Sequence, residues 1–378
     1  MGAADTPHVV PFSALPGWAQ TDHLAALRAF RRSCKVMMRA PFRRRARYGG
    51  RREDWRNACR AAMRVPDTRR AARAFFERHF LPVSLQRPGR PSGLFTGYYE
   101  PEAEGALKPD ATYRFPLFAR PRDLVAFTPA ESRIAGTRYG RRVNGRPVPY
   151  FTRKEIESGA LKGRGLEIVW LKSLADAFFI QVQGSGRIRL KEGGVLRLSY
   201  AAKSGRPYTP VGRILVERGE IPKERMSMQA IRAWIARNPD RARELLWRNE
   251  SYVFFRVVEL PDPRLGAYGA QGVQLTPMVS LAVDWRHWAY GSPVWLDTRV
   301  PDAKGAGTRI FRRLMVAQDT GSAIRGAVRG DIYFGFGEAA GARAGRMKAP
   351  GFMAVLLPVR LARKLTGSGH QTNFSSAK

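Results

Sequence analysis

At about residue 94 the spacing of apolar residues changes, and that change constrains the fold more than any other feature of the chain. Before it, Leu24, Leu27, Phe30 and Cys34 recur every three or four positions, as on one face of a helix, and Asp22 stands where it can cap that helix. After a basic turn, Trp55, Cys59 and Met63 repeat the pattern, and Asp67 can cap a third helix carrying Phe75, Phe76 and Phe80. From Leu94 onward, runs such as LFTGYYEP, RFPLFARP, GLEIVWL, AFFIQVQGSGRIRL and VLRLSYA alternate with Gly, Pro and Asn, as strands and turns do. One helical interval interrupts them, from about Ser227 to Trp247, where Ile231, Trp234 and Ile235 mark one face and Asp240 restarts the helix after Asn238-Pro239. Strand-like runs resume with SYVFFRVVEL. A Gly-, Pro- and Ala-rich connection from Leu260 to Thr276 precedes MVSLAVD, SPVWLDTRV, RIFRRLMVAQD, GDIYFGF and FMAVLLPV. The pattern predicts N-terminal helices followed by a mainly β chain, with a disordered tail over Thr366 to Lys378.

A chain of 378 residues exceeds what one core usually fills, so two domains are expected. No apolar run approaches the roughly 20 residues of a membrane-spanning helix. The opening MGAADTPHVVPFSALPGW shows no basic segment followed by an apolar one, so either the protein is cytoplasmic or a leader is not visible in this chain. A formal charge of +35 opposes compaction by self-repulsion and calls for anionic surroundings. The cluster Arg43-Arg44-Arg45, Arg47 and Arg51-Arg52 around Tyr48 points toward nucleic acid. Yet the arginines spread over the whole length, and no helix-turn-helix, zinc-finger or RNA-recognition signature accompanies them, so no nucleic-acid partner is expected. A solvated basic surface facing a polyanionic envelope or acidic peptides fits as well. Neither Cys34 nor Cys59 stands at metal-ligand spacing, which argues against a zinc site. Two thiols in a reduced cytosol and one disulfide in an oxidising compartment both remain open.

Three segments carry candidate chemistry. In LMVAQDTGSAIRGAVRGDIYFGFG, Asp319 and Asp331 stand in an apolar, glycine-rich surround, where desolvation raises a carboxyl pKa and lets it donate a proton near neutral pH. Turn aspartates bonded to their own backbone are the alternative. In Phe95-Thr96-Gly97-Tyr98-Tyr99-Glu100-Pro101, strand alternation lets at most one tyrosine enter the core, leaving the other to stack on a sugar ring. The Gln183-Gly184-Ser185-Gly186 loop lacks the third glycine and following helix of a phosphate loop; it presents amide and hydroxyl groups to sugar hydroxyls or simply bends a barrel strand.

Taken in order, the FTGYY, QGSGRI, MSMQAIRAW and VFF segments and the blocks D-x-G-x-A-I-R-G at Asp319 and D-I-Y-x-G-x-G at Asp331 resemble the membrane-bound lytic murein transglycosylase A family, from about Gly93 to Pro358. The resemblance implies a mainly β fold: a double-psi β-barrel domain with a second β-barrel domain inserted, plus N-terminal helices. On this chain the helices and first part of the barrel domain would be residues 1–101, the inserted substrate domain 102–259, the catalytic C-terminal part of the double-psi barrel 260–365, and the tail 366–378. A glycan groove between the domains is implied too. So is non-hydrolytic cleavage of the β-1,4 bond between N-acetylmuramic acid and N-acetylglucosamine, with formation of a 1,6-anhydro ring.

Asp331 would be the catalytic acid and then base, Asp319 its supporting residue and Asp284 a structural aspartate. Thr96, Gly97, Tyr98, Gln183 and Ser185 would line the groove. One extra residue lies between Asp319 and Asp331 relative to the family pattern, so the intervening loop is free to differ. The resemblance implies no cofactor and no metal. It implies peptidoglycan strands as substrate, a monomer with envelope or cell-wall complexes as possible partners, periplasmic location with possible outer-membrane association, and a Cys34–Cys59 disulfide. A carbohydrate-binding barrel without catalysis and a hydrolytic glycosidase on the same fold are the competing expectations.

Overall fold

A computed structural model describes residues 6–39, 46–86, 93–259, 261–303, 307–321 and 323–367. By internal packing the chain divides into two units, one of residues 1–99, 264–335 and 346–378, the other of 100–263 and 336–345. The helix Gly337–Arg346 packs largely with the second unit.

In the first unit, six strands close on themselves. The order is Lys348–Pro358, Pro293–Pro301, Thr308–Asp319, Ser280–Val283, Arg329–Phe336 and Gly93–Glu100, and the last pairs back onto the first. Ser280–Val283 runs parallel to Thr308–Asp319 and antiparallel to Arg329–Phe336, while Pro293–Pro301 is antiparallel to both its neighbours and Lys348–Pro358 is antiparallel to Gly93–Glu100. Closure removes free strand edges. The interior is apolar: Phe95, Leu281, Val294, Leu296, Ile332 and Val355 are almost wholly shielded from solvent. Gly330 is required inside, because a Cβ there would come within 3.0 Å of both Leu281 and Phe95.

Helices His23–Met37, Arg52–Ala62 and Arg69–His79 belong to this unit. Asp22 caps the first as expected, accepting from the Leu24 and Ala25 amides. The third is capped by Thr68 rather than Asp67. Asp67 is drawn instead into ion pairs with Arg28 and Arg31, because a carboxylate between two guanidiniums is stabilised more strongly than at a helix end. Met63, expected on the buried face, is the exposed C-cap of the second helix. Cys34 and Cys59 are joined by a disulfide between the first two helices. Tyr48 of the basic cluster is buried against Trp288, while Arg43, Arg44 and Arg45 lie outside the described residues. So does nearly all of the tail: Thr366 ends the helix Val359–Thr366 and only Gly367 follows it.

The second unit holds a six-stranded sheet, ordered Val253–Val257, Val195–Lys203, Ser185–Leu190, Glu102–Ala106, Glu167–Leu171 and Phe115–Phe118. A bridge between Ala119 and Phe255 brings its two ends together into a second barrel around Leu117, Val169, Leu171, Ile188 and Leu198. Helices are more numerous here than the strand-like runs suggested. AFFIQVQ, expected as strand, is the helix Leu174–Gln183, which Ser173 caps and Gly184 ends in the left-handed conformation at φ 77°. Its run of apolar residues is buried on nearly every side, so period could not separate helix from strand. Of the two glycines in the 183–186 segment, Gly184 therefore ends a helix, while Gly186 lies within the strand Ser185–Leu190.

Among the described residues no helix is long and apolar enough to cross a membrane, and no group of three or more His, Cys, Asp or Glu side chains is placed to hold a metal ion. The disulfide closes a loop spanning 25 residues in sequence, so replacing both cysteines by alanine is expected to destabilise the first unit by about 3 kcal/mol. Urea unfolding of the double variant measures this; a loss below about 0.5 kcal/mol would mean the helices hold without the cross-link.

Candidate active site

Ala282 is the residue about which the site is built. In the strand Ser280–Val283 it pairs with Asp331 on one side and, across a bulge after Leu281, with Asp319 on the other. Residues opposite one another in adjacent strands direct side chains to the same face, so both carboxylates rise from one face with only a methyl group between them. Strand alternation places Tyr99 in the core and leaves Tyr98 partly exposed.

Asp331 accepts a hydrogen bond of 2.6 Å from the Thr96 hydroxyl through Oδ1. The Arg329 guanidinium donates to Thr96 Oγ1 at 2.8 Å. Because that bond occupies the Thr96 oxygen as acceptor, the hydroxyl proton is left to point at Asp331. The carboxyl keeps some solvent contact, yet most of its surroundings are protein atoms. Burial pushes its pKa up to about 6; the Thr96 bond and Arg329 oppose the shift, and Asp319 adds to it.

Asp319 is held differently. Its Oδ1 accepts from the Ala270 and Thr320 amides, each at 2.9 Å, and its Oδ2 from Tyr98 Oη at 2.9 Å. Burial raises its pKa, while the two amides and the tyrosine act against that rise. Burial and the neighbouring Asp319 push the Tyr98 hydroxyl well above its ordinary range, so it stays protonated and remains a donor. Tyr98 also packs on Tyr333, ring centroids 5.2 Å apart. Close approach is needed here as well: a Cβ on Gly266 would fall 2.0 Å from Tyr333 Oη.

Asp284 is fully buried and grips Arg286 through Nε at 3.0 Å and Nη2 at 2.8 Å, while accepting from the Gly326 amide at 2.9 Å. Burial works against its ionisation, but Arg286 and the amides outweigh it and hold the carboxyl below the usual range. Its bond to Gly326 fastens the loop that runs from Asp319 to Asp331.

The first helix braces this arrangement. Ser33 accepts from Gln318 Nε2 at 2.8 Å and donates to Gln271 Oε1 at 2.8 Å. Gln318 precedes Asp319, and Gln271 follows the Ala270 amide that holds it. Gln318 is itself fully buried and bonds Ala29 O and Ser280 Oγ.

Of the residues singled out from the sequence, Thr96, Tyr98, Asp319 and Asp331 form one network, with Gly97 between the first two in the strand. Gln183 and Ser185 belong to the second unit rather than to this network, at the end of a helix and the start of a strand. Arg329, Ala270, Thr320 and Ser33 were not singled out. Arg329 stands two residues before Asp331, the strand spacing that puts both on one face, and that signal was present in the sequence.

The family model described as the MltA specific insert domain matches residues 94–256, and the 3D domain model matches 279–357. A membrane-bound lytic murein transglycosylase from Agrobacterium tumefaciens is similar in structure, with TM-score 0.82 and 35% identity, over 95% of this chain and 99% of that one. MltA from Neisseria gonorrhoeae matches with TM-score 0.80 and 31% identity, over 95% and 92%. E. coli MltA with bound chitohexaose matches with TM-score 0.61 and 29% identity, over 81% and 83%. The membrane-bound lytic murein transglycosylase A of Vibrio cholerae is 33% identical over 258 residues, 68% of this chain and 62% of the relative's length. The chain thus spans less than two thirds of the curated relative.

The pKa of Asp331 gives a stability prediction. A carboxyl raised in the folded state favours folding below its unfolded pKa, and that contribution is lost as pH rises through about 6. Asp331→Asn does not titrate, so its stability relative to the parent is expected to rise between pH 4 and pH 7. Partial solvent contact limits the gain to about 1 kcal/mol. Urea denaturation at both pH values measures it; a difference that stays flat or falls would show that Asp331 is not desolvated.

Proposed function

Since the chain belongs to the membrane-bound lytic murein transglycosylase A family, we propose that it cleaves the MurNAc-β-1,4-GlcNAc bond of peptidoglycan without water, forming 1,6-anhydro-MurNAc. The observation that carries this reading is the unequal state of the two aspartates. Asp331 is pushed up to about 6 and has an oxygen not engaged by Thr96, whereas both oxygens of Asp319 already accept bonds.

In its protonated form Asp331 gives a proton to the glycosidic oxygen as the bond from that oxygen to C1 of the muramoyl residue breaks. As a carboxylate it then takes the proton from the C6 hydroxyl while O6 bonds to C1. The leaving sugar departs with the first proton, and Asp331 ends protonated as it began. No water is consumed. A hydrolase needs a second carboxylate free to activate water or to form an adduct. With two amides and the Tyr98 hydroxyl bound to it, Asp319 is better suited to fix the Tyr98 side of the site than to act on water. The attacking hydroxyl belongs to the substrate and gains from proximity.

Thr96 sets the direction of the Asp331 carboxyl, and Arg329 sets that of Thr96. Tyr98 offers a ring face to a sugar. Gln183 and Ser185 remain candidates for polar contacts to the glycan. A cell-envelope location is proposed as well: the relatives' names describe them as membrane-bound, and the Cys34–Cys59 disulfide suits an oxidising compartment such as the periplasm.

Purified sacculi provide the test. Mass spectrometry of the released muropeptides is expected to show products lacking the mass of one water, and reducing muramic acid instead would mean hydrolysis. Asp331→Asn is expected to lower turnover on the order of a thousandfold. Because the protonated carboxyl starts the reaction, kcat/KM of the parent protein is expected to fall as pH rises above about 6. Undiminished release by Asp331→Asn would remove this residue from the role.

A further inference from the structure

The second unit contains a cavity of about 260 Å³ that the proposed cleavage does not use. It lies against the strands Phe115–Phe118 and Glu167–Leu171 and the helix Leu174–Gln183. Ligand pockets usually run from about 300 Å³ upward, so the space suits one or two amino-acid residues better than a run of sugars. Phe115 and Trp170 supply an apolar wall.

Its polar lining is unusual for so basic a chain. Glu157 is fixed by Arg153 Nη1 at 3.1 Å and Trp247 Nε1 at 2.8 Å. Gln181, only 3% exposed, bonds Tyr252, yet its Oε1 is buried with no hydrogen-bond partner. A buried acceptor left unsatisfied is destabilising, and a donor arriving with a ligand would recover that loss. Glu167 also lines the cavity, and among the described residues it forms no ion pair. Neither do Arg114, Lys162 and Arg243, which are exposed and contribute to the same lining. Both signs of charge are thus presented unpaired around one apolar wall.

We propose that this cavity binds a short acidic peptide carrying a free primary amine, and so recognises the peptide stem of the substrate. This rests on the peptidoglycan reading above. The amine would take the side of Gln181 and the two glutamates, the aliphatic chain would lie on Trp170 and Phe115, and the carboxylates would meet Lys162, Arg114 and Arg243. Peptide-free glycan carries lactyl carboxylates but no primary amine, so it offers no partner to the glutamates and Gln181.

Two measurements on the full chain test it. Calorimetric titration with the tripeptide L-alanyl-γ-D-glutamyl-meso-diaminopimelate is expected to show saturable binding, weakened about tenfold in Trp170→Ala and in the surface variant Lys162→Glu/Arg243→Glu. On sacculi both variants are expected to raise KM severalfold with kcat retained, while KM on peptide-free glycan strands stays unchanged. No saturable tripeptide binding, or equal losses on both substrates, overturns the proposal. Should the parent protein digest neither substrate but still bind the tripeptide, the cleavage reading fails and the peptide site stands. Digestion without tripeptide binding gives the reverse.

Discussion

Two backbone ladders share Ala282, and the chemistry of the first unit follows from that sharing. A parallel partner on one side and an antiparallel partner on the other allow residues 319 and 331, which come from different strands, to present carboxylates to one face. The bulge after Leu281 matters because a one-residue slip would turn Asp319 to the opposite face. Closing the barrel fixes the register further, since Thr96 and Tyr98 must then fall opposite the same face from the strand Gly93–Glu100.

Within that frame, hydrogen bonding divides the labour between two chemically identical side chains. Asp319 receives two amides and a hydroxyl, enough to hold it in place. Asp331 receives one hydroxyl, and burial dominates its titration. The surrounding arginine excess does not reverse this. Apart from Arg329, the cations named here among the described residues either pair with acids elsewhere, as Arg286 does with Asp284, or stand in solvent, where screening limits their reach. The N-terminal helices contribute by mechanical support: Ser33 ties the residues next to Asp319 and Ala270 to a helix that a disulfide fastens to its neighbour.

Much of this was legible in the residues. The change of apolar period located the helices, and a glycine-flanked aspartate in an apolar run indicated a raised carboxyl, but strand begins earlier than the period suggested: Phe80, expected on the third helix, opens the strand Phe80–Ser84 that pairs with Lys348–Pro358. Adjacent tyrosines at 98 and 99 had to face opposite ways. The helix Leu174–Gln183 was not legible, because its apolar residues are buried on nearly every side and leave no polar stripe to reveal its period. The capping by Thr68 was missed for a related reason. Whether Asp67 caps a helix or meets Arg28 and Arg31 depends on where another helix lies.

The sequence by itself determined most of the kinds of element, the helix Leu174–Gln183 excepted, and the residue types available for chemistry, because period, capping and turn preference act over a few neighbouring residues. Only the tertiary structure decided that Thr96, Arg329 and Asp331 form a chain of donors and acceptors, that Asp319 is saturated while Asp331 is not, and that Gln181 is left with a buried oxygen unpaired. Those outcomes depend on strand register, barrel closure and desolvation. Each of these is set by residues far apart in the chain, and none leaves a local mark.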